Sequence, residues 1–276
     1  MPIRRILFLG DVCAEPGRRV VKVLLPKLRA ELQCDFCIVN GENAAGGYGI
    51  TPRVAEELFS AGADCITTGD HAFDRKEIWD YLNAEPRILR PINFPSEAPG
   101  RGWAVFDLAR QGSADTGEVE KIAVINLVGR VFMKPVDCPF QRIKPVISGL
   151  SKITPVILVE FHAEATAEKQ ALGWFLDGQV SAVLGTHTHI QTTDDHILPG
   201  GTAYITDAGM CGAFDSVLGM KKELAIRRMT EMLPIRLQPA VNDLRLNGVL
   251  IEIESTTGRA VRIERLVRIL EDNRGD

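Results

Sequence analysis

The chain has 276 residues, 45% hydrophobic and 25% charged, an ordinary balance for a soluble globular protein. Its net charge of −4 excludes the broad basic face of a general nucleic-acid-binding protein, though not a small nucleotide held locally. A chain this long buries a core without metals or disulfides, so any metal it holds serves chemistry rather than folding.

The run Ile6–Leu9 is too short for a signal peptide or a membrane span and reads as a first buried strand, ending in Gly10-Asp11. Apolar residues then recur at helical spacing from Pro16 to Leu32, with proline near the first turn. Phe36–Val39 is a second strand, ending in Asn40-Gly41-Glu42-Asn43, and after a glycine-rich loop Pro52–Ala61 reads as a helix. Asp64–Thr68 is a strand ending in Gly69-Asp70-His71, and Arg75–Leu82 is helical again. This alternation predicts an α/β core of parallel strands with crossover helices. In such sheets ligands bind at the carboxyl ends of the strands, which is where the polar residues fall.

Pro86 to Pro99 is proline-rich and predicted to be a surface loop. Trp103–Leu108 and Lys121–Leu127 read as a β-hairpin joined by the polar segment Arg110–Glu120. Val156–Phe161 is a strand running into His162, Ala163–Leu176 a helix, and Val180–Leu184 a strand ending in Gly185-Thr186-His187-Thr188-His189. From Arg245 to Leu270 apolar and polar residues alternate, as edge or antiparallel strands require. No repeat, low-complexity tract or linker interrupts the chain, so residues 1–276 are expected to form a single domain.

The six cysteines are Cys13, Cys34, Cys37, Cys65, Cys138 and Cys211; with no export signal they predict a reducing, cytoplasmic setting. Cys34 and Cys37 form a lone C-x-x-C, without the second pair of a zinc ribbon, and read as ordinary packing.

Of the five histidines, His71, His162, His187 and His189 fall at strand ends, and only His196 does not. In an extended segment His187 and His189 would point the same way around Thr188. Two imidazoles beside carboxylates from other strand ends suit zinc, manganese or iron. A carboxylate after a strand can also cap the next helix, but Asp11 lies several residues before Pro16 and is poorly placed for that. Glu42 precedes the small residues Ala44-Ala45-Gly46-Gly47, which let a ligand approach the backbone. Asp11, Glu42, Asp70, His162, His187 and His189 are six candidate ligands, enough for two ions if Glu42 bridges, and reach as far as a two-metal hydrolase.

These motifs also carry a resemblance. Gly10-Asp11, Asn40-Gly41-Glu42-Asn43, Gly69-Asp70-His71, Phe161-His162 and Gly185-Thr186-His187-Thr188-His189 resemble the ordered motifs of calcineurin-like metallophosphoesterases. The runs VNGENAAGGYGIT, RPINFP, NLVGRVFM, FHAEAT, LGTHTHIQT and GGTAYITDAGM are similar to the bacterial YmdB-type phosphodiesterases, from Gly10 to about Gly219. The resemblance implies an α/β/β/α sandwich of two sheets flanked by helices, with two divalent transition metals (iron, manganese or zinc) at the strand ends. It implies that Asp11, Glu42 and His189 hold one metal, with Asn43 beside it. Glu42 would bridge to a second metal held by Asp70, His162 and His187. His71 would stand next to the metals without binding them and protonate the leaving oxygen as a metal-activated hydroxide attacks phosphorus. The implied substrates are phosphodiesters, cyclic nucleotides among them; no membrane or extended nucleic-acid partner is expected, and a homo-oligomer is compatible.

Two positions depart from the family pattern. Asp70 stands where the third motif usually has asparagine, which adds a negative charge and removes a donor aimed at substrate. Cys13 stands where the wider superfamily has histidine and close relatives an apolar residue; it reads as a packed thiol, the alternative being a soft ligand to the first metal. A nucleotidase-type phosphomonoesterase and a metal-bound sensor or scaffold with little turnover stay open beside the diesterase. Arg130 and Phe132 are open between contacts to a phosphate and a base and an ordinary surface loop.

Overall fold

The computed structural model describes residues 2–108 and 119–271. Strands β1 (Ile3–Leu9) and β2 (Asp11–Val12) lead into helix α1 (Ala14–Leu32), followed by β3 (Phe36–Asn40), α2 (Pro52–Ser60) and β4 (Cys65–Thr67). A 3-10 turn at Lys76–Ile78 opens α3 (Trp79–Ala84), and β5 (Ile88–Leu89) follows. Next come β6 (Trp103–Asp107), β7 (Lys121–Val128), α4 (Pro139–Leu150), β8 (Ile157–His162), α5 (Thr166–Leu176) and β9 (Ala182–Thr186). The last elements are β10 (His196–Ile197), β11 (Ala203–Ile205), β12 (Met210–Ala213), α6 (Lys222–Glu231), β13 (Leu244–Glu254) and β14 (Ala260–Ile269).

The strands form two sheets. The larger runs β2-β12-β13-β1-β3-β4-β5, with β14 also paired to β13; the smaller runs β10-β11-β9-β8-β7-β6. β1, β3, β4 and β5 are parallel, as are β7, β8, β9 and β11, so the carboxyl ends of each set share one end of their sheet. β13 pairs antiparallel with both β1 and β14, as its sequence alternation predicts.

Strand alternation sorts the side chains into layers. Leu7 and Leu9 of β1 pack against Val20, Val21 and Leu25 of α1 and Leu58 of α2. Their neighbours Ile6 and Phe8 face the other way, into a core between the sheets with Val124, Leu158, Leu184, Val249 and Ile251. The outer face of the smaller sheet, with Ile125, Val159 and Phe161, is covered by Ile143 and Ile147 of α4 and Leu172 and Leu176 of α5. The result is the α/β/β/α sandwich implied by the family resemblance.

Several elements differ from the sequence reading. α4 was not expected, because Pro145 lies inside it, where proline argues against a helix; Pro139, at its first position, suits a helix start. α6, β2, β5 and the short strands β10 to β12 were also missed, and Pro86–Pro99, read as a surface loop, instead holds β5 and buries Ile88, Leu89, Ile92 and Asn93; short strands carry too few residues to show a period. β6 and β7 do pair as a hairpin, but most of the connection Arg110–Glu120 lies outside the described residues. All six cysteines are free, and Cys34 and Cys37 are buried in packing contacts. Among the described residues no helix is long and apolar enough to cross a membrane.

Phe8 is fully buried between the two sheets. Phe8→Ala is expected to cost about 3–5 kcal/mol in urea unfolding, through lost transfer energy and the cavity left behind. A loss below about 1 kcal/mol would mean that the sheets do not pack tightly at this point.

Candidate metal centre

The carboxyl ends of both parallel strand sets meet, and each contributes polar side chains. From the larger sheet come Asp11, just after β1; Glu42 and Asn43, after β3; and Asp70 and His71, after β4. From the smaller come His162, which ends β8, and His187 and His189, after β9. Asp11, Glu42 and His162 are fully buried.

One ligand atom from each of Glu42, Asp70, His162 and His187 lies within 4.8 Å of all the others. His162 Nε2 stands 3.0 Å from Glu42 Oε1, 3.4 Å from Asp70 Oδ1 and 2.9 Å from His187 Nδ1. A second group forms on the other side of Glu42. Asn43 Nδ2 is 3.0 Å from Glu42 Oε1 and 3.1 Å from His189 Nε2, and His189 Nδ1 faces the Leu218 carbonyl at 3.2 Å. Asp11 Oδ1 is 3.8 Å from the His162 ring, and its Oδ2 accepts the backbone N–H of His187 at 3.1 Å, tying the two sheets together. Glu42 therefore belongs to both groups.

The charges are strongly perturbed. Burial alone would raise the Glu42 and Asp70 carboxyls, but the adjacent His162 overrides it and holds both below their usual range. Burial would likewise lower His162, yet Glu42 and Asp70 raise it well above the ordinary imidazole value. His187 is lowered by burial and by the charge of His162, and Asp11 is raised by burial. Among the described residues, Asp11 Oδ1 and Asp70 Oδ1 are buried acceptors with no hydrogen-bond partner. Orphaned carboxylate oxygens beside converging imidazoles fit divalent metal ions, which carboxylate and imidazole donors suit.

A supporting layer fixes the candidate ligands, and the sequence reading missed it. His162 Nδ1 donates to Thr186 Oγ1 (2.9 Å), which donates on to Glu160 Oε1 (2.7 Å), so it is Nε2 that faces the centre. Burial pushes the Glu160 carboxyl up to about 7, against the pull of His162. Asp207 Oδ2 accepts from the backbone N–H and the hydroxyl of Thr188, at 3.0 and 2.8 Å, and pairs with buried Lys169 at 2.8 Å. Glu164 Oε2 lies 3.0 Å from His187 Nε2. Only the position of Asp207 after a strand, in Thr206-Asp207-Ala208-Gly209, could have marked it.

The H-x-H geometry corrects the sequence reading. β9 ends at Thr186, and His187 and His189 take φ of +99° and +64°, left-handed values that are rare without glycine. The segment is not extended, and the rings go to different groups: His187 to Asp70 and His162, His189 to Asn43. Asp207 holds Thr188 between them. Close approach also decides Gly69, where a Cβ would fall 2.3 Å from both Glu42 Oε2 and the His162 ring.

His71 stands beside the cluster but outside it. Its backbone N–H points to Glu42 Oε2 (3.3 Å), its Nδ1 bonds Asp74 Oδ2 (2.7 Å), and its Nε2 is 3.9 Å from Asp70 Oδ2. Lys134 Nζ donates to the Asp70 carbonyl (2.9 Å) and lies 3.9 Å from Asp70 Oδ2, a basic neighbour for the unusual carboxylate. The loop that carries Lys134 is shaped by Glu168, which accepts the backbone N–H groups of Arg130 and Val131 at 3.1 and 3.2 Å. Phe132 on that loop is 89% exposed. Cys13 is a packed thiol, set against Met210 and Met220, and burial pushes it up to about 12.

The chain is similar to known proteins over nearly its whole length. The family model described as YmdB-like protein matches residues 7–266. The chain is 48% identical over 263 residues to the 2',3'-cyclic-nucleotide 2'-phosphodiesterase of Bacillus subtilis, covering 95% of this chain and 96% of that one. A crystal structure described as a novel phosphatase from Mycoplasma pneumoniae superposes with a TM-score of 0.89 at 33% identity, over 99% of this chain and 96% of that one. A crystal structure from Thermus thermophilus, described as a hypothetical protein, gives 0.87 at 39% identity, over 96% of this chain and 99% of that one. With its motifs, its sandwich and its convergent strand ends in agreement, the chain belongs to the YmdB-like protein family.

Proposed function

We propose that this chain is a two-metal phosphoesterase that hydrolyses phosphodiesters, cyclic nucleotides among them. The observation that carries the reading is the junction itself: carboxylates and imidazoles from both sheets converge, with two buried carboxylate oxygens left without a partner. Because both sheets supply ligands, residues 1–276 act as one metallophosphoesterase domain. Asp11, Asn43 and His189 would hold one divalent ion, and Asp70, His162 and His187 the other, with Glu42 shared. Iron, manganese and zinc all accept such a donor set. Bound there, the ions supply Lewis acidity toward a phosphoryl oxygen and an attacking water.

The chain's own residues do the rest. Asp74 holds His71 Nδ1, so the ring presents Nε2 toward the cluster, and protonated His71 would give that proton to the leaving alkoxide. The 2',3'-cyclic-nucleotide activity named for the Bacillus subtilis relative sets the substrate class. The phosphatase description of the Mycoplasma pneumoniae structure favours a second reading, a phosphomonoesterase using the same centre. Assay of bis(p-nitrophenyl) phosphate, 2',3'-cyclic AMP and p-nitrophenyl phosphate with added manganese separates them. Preference for the diesters supports the first reading and preference for the monoester the second; no turnover with metals bound supports a sensor or scaffold.

Metal uptake should depend on pH. In the metal-free protein His162 is held protonated above its ordinary range, and a metal must displace that proton. Apparent manganese affinity should rise with pH by about tenfold per unit for one displaced proton, then flatten above the raised pKa. Calorimetry in buffers of differing ionisation enthalpy counts the protons released; none released would remove His162 from the ligand set.

Roles divide cleanly between two histidines. His71→Ala is expected to lower turnover by roughly 10²-fold or more while keeping full metal content. His187→Ala should lose metal and activity together. Elemental analysis beside kinetics checks both, and metal loss in His71→Ala would make His71 a ligand.

Asp70 is expected to tighten the metal site and weaken binding of anionic substrate. Lys134 offsets little of this charge, because its side chain is 59% exposed and 3.9 Å away, and such surface pairs contribute about 0–1 kcal/mol. Asp70→Asn should raise kcat/KM on an anionic diester by up to about tenfold, near 1.4 kcal/mol, and ease removal of the metal by a chelator. An unchanged or lower kcat/KM with full metal occupancy would show that Asp70 does not limit the enzyme.

A further inference from the structure

Outside the metal centre, a cavity of about 620 Å³ opens where the edge strand of each sheet ends its sandwich. β5 is the terminal strand of the larger sheet and β6 that of the smaller, and α4 closes the third side. Arg87, Arg90, Arg101 and Arg142 line the cavity, and among the described residues no aspartate or glutamate does.

The decisive residue is Arg90. It is only 6% exposed, and its buried Nε has no hydrogen-bond partner. Nη1 donates to the Pro91 carbonyl at 2.8 Å and Nη2 reaches the Ala98 carbonyl at 3.5 Å, but among the described residues no carboxylate pairs with it. A buried guanidinium without a counter-charge is costly. Burial and the positive charge of Arg142 lower its pKa further. Arg142 meets a carboxylate only loosely, at 3.7 Å from Asp137, and Arg101 has no ion-pair partner among the described residues. Arg87 is already engaged, with Nε and Nη2 on Glu85 at 2.8 and 2.6 Å.

The other wall is apolar. Trp103, 42% exposed, and Val105 share one face of β6, and Pro145 and Val146 of α4 complete it. A planar ring can stack on the indole. Cavities of about 300–1,000 Å³ accommodate small organic ligands. We propose that this cavity binds a nucleoside phosphate, its phosphate on Arg90, Arg101 and Arg142 and its base against Trp103. The site is separate from the metal centre: none of the candidate ligands lines it.

The test uses the full-length, metal-loaded protein and the methylenephosphonate analogue of AMP, which an esterase cannot cleave. Binding is followed by tryptophan fluorescence and calorimetry. The analogue should bind at least tenfold more tightly than adenosine or inorganic phosphate, and the fluorescence change should vanish in Trp103→Phe. Arg101→Gln and Arg142→Gln should each weaken it by about tenfold, in line with one lost charge-assisted hydrogen bond, with metal content unchanged. Arg90→Met should abolish binding; if it does not fold, the other two arginine variants still decide. No binding at millimolar analogue, equal affinity for inorganic phosphate, or full affinity in both Arg101→Gln and Arg142→Gln would overturn the proposal. So would sedimentation showing that a second copy of the chain covers the cavity.

Discussion

Three carboxylates, those of Asp11, Glu42 and Asp70, are drawn together where the parallel strands of two sheets end, and the rest of the centre answers to their charge. Two unit charges within 4.8 Å, the limit that holds for Glu42 and Asp70, repel by on the order of 3 kcal/mol at an effective dielectric of 20. Among the described residues the one fully buried positive group facing them is His162, and it responds with a pKa raised well above the usual imidazole range. One imidazolium cannot balance three carboxylates, and the Asp11 carboxyl is raised by its burial, against the pull of His189 and His162. A site so short of positive charge is built to receive cations.

That demand explains the supporting residues. A histidine that must offer Nε2 needs its other nitrogen bound, and the Thr186–Glu160 relay does this from inside the smaller sheet. Two left-handed histidines flanking Thr188 carry backbone strain, and Asp207 offsets it by accepting two hydrogen bonds from Thr188 and one from the Gly209 N–H. Asp207 is itself tolerated in the core because Lys169, on α5, neutralises it. The inter-sheet core holds the two halves in register, and the Asp11 bond to the His187 backbone crosses the seam at the centre itself.

The sequence made the candidate ligands legible because each follows a strand, and strand ends are visible as apolar runs stopped by a polar cluster. It did not disclose the relay. Glu160 and Thr186 lie inside strands, where a polar residue looks like alternation, and their meeting depends on the register of β8 against β9. Lys169 and Asp207 are 38 positions apart and meet only through the packing of α5 on the smaller sheet. The turn after β9 misled for a related reason: extended geometry was assumed where the chain had already left the strand. α4 was hidden because its interior Pro145 argues locally for a loop, and tertiary packing of Ile143 and Ile147 decides otherwise.

The run Arg90-Pro91-Ile92-Asn93 resembles the family yet contributes no candidate ligand, and its hydrogen bonds show why it matters. It leaves β5 and crosses from the larger sheet to the smaller, where Ile92 N–H bonds the Asn126 carbonyl at 2.9 Å. Asn126 reaches back with its amide to the carbonyls of Thr68 and Leu89, at 2.7 and 3.0 Å, and so fastens the strand end that precedes Asp70. Asn93 then clamps Val128 through both its amide and its carbonyl oxygen, at 2.7 and 3.0 Å, just before the loop that brings Lys134 to Asp70. A single buried strap thus sets the height of β4's end, anchors the loop beside it, and turns Arg90 into the cavity on its other side. Asn93 is spent on the Val128 and Asp137 backbone, which is why it holds the frame of the centre in place without reaching into it.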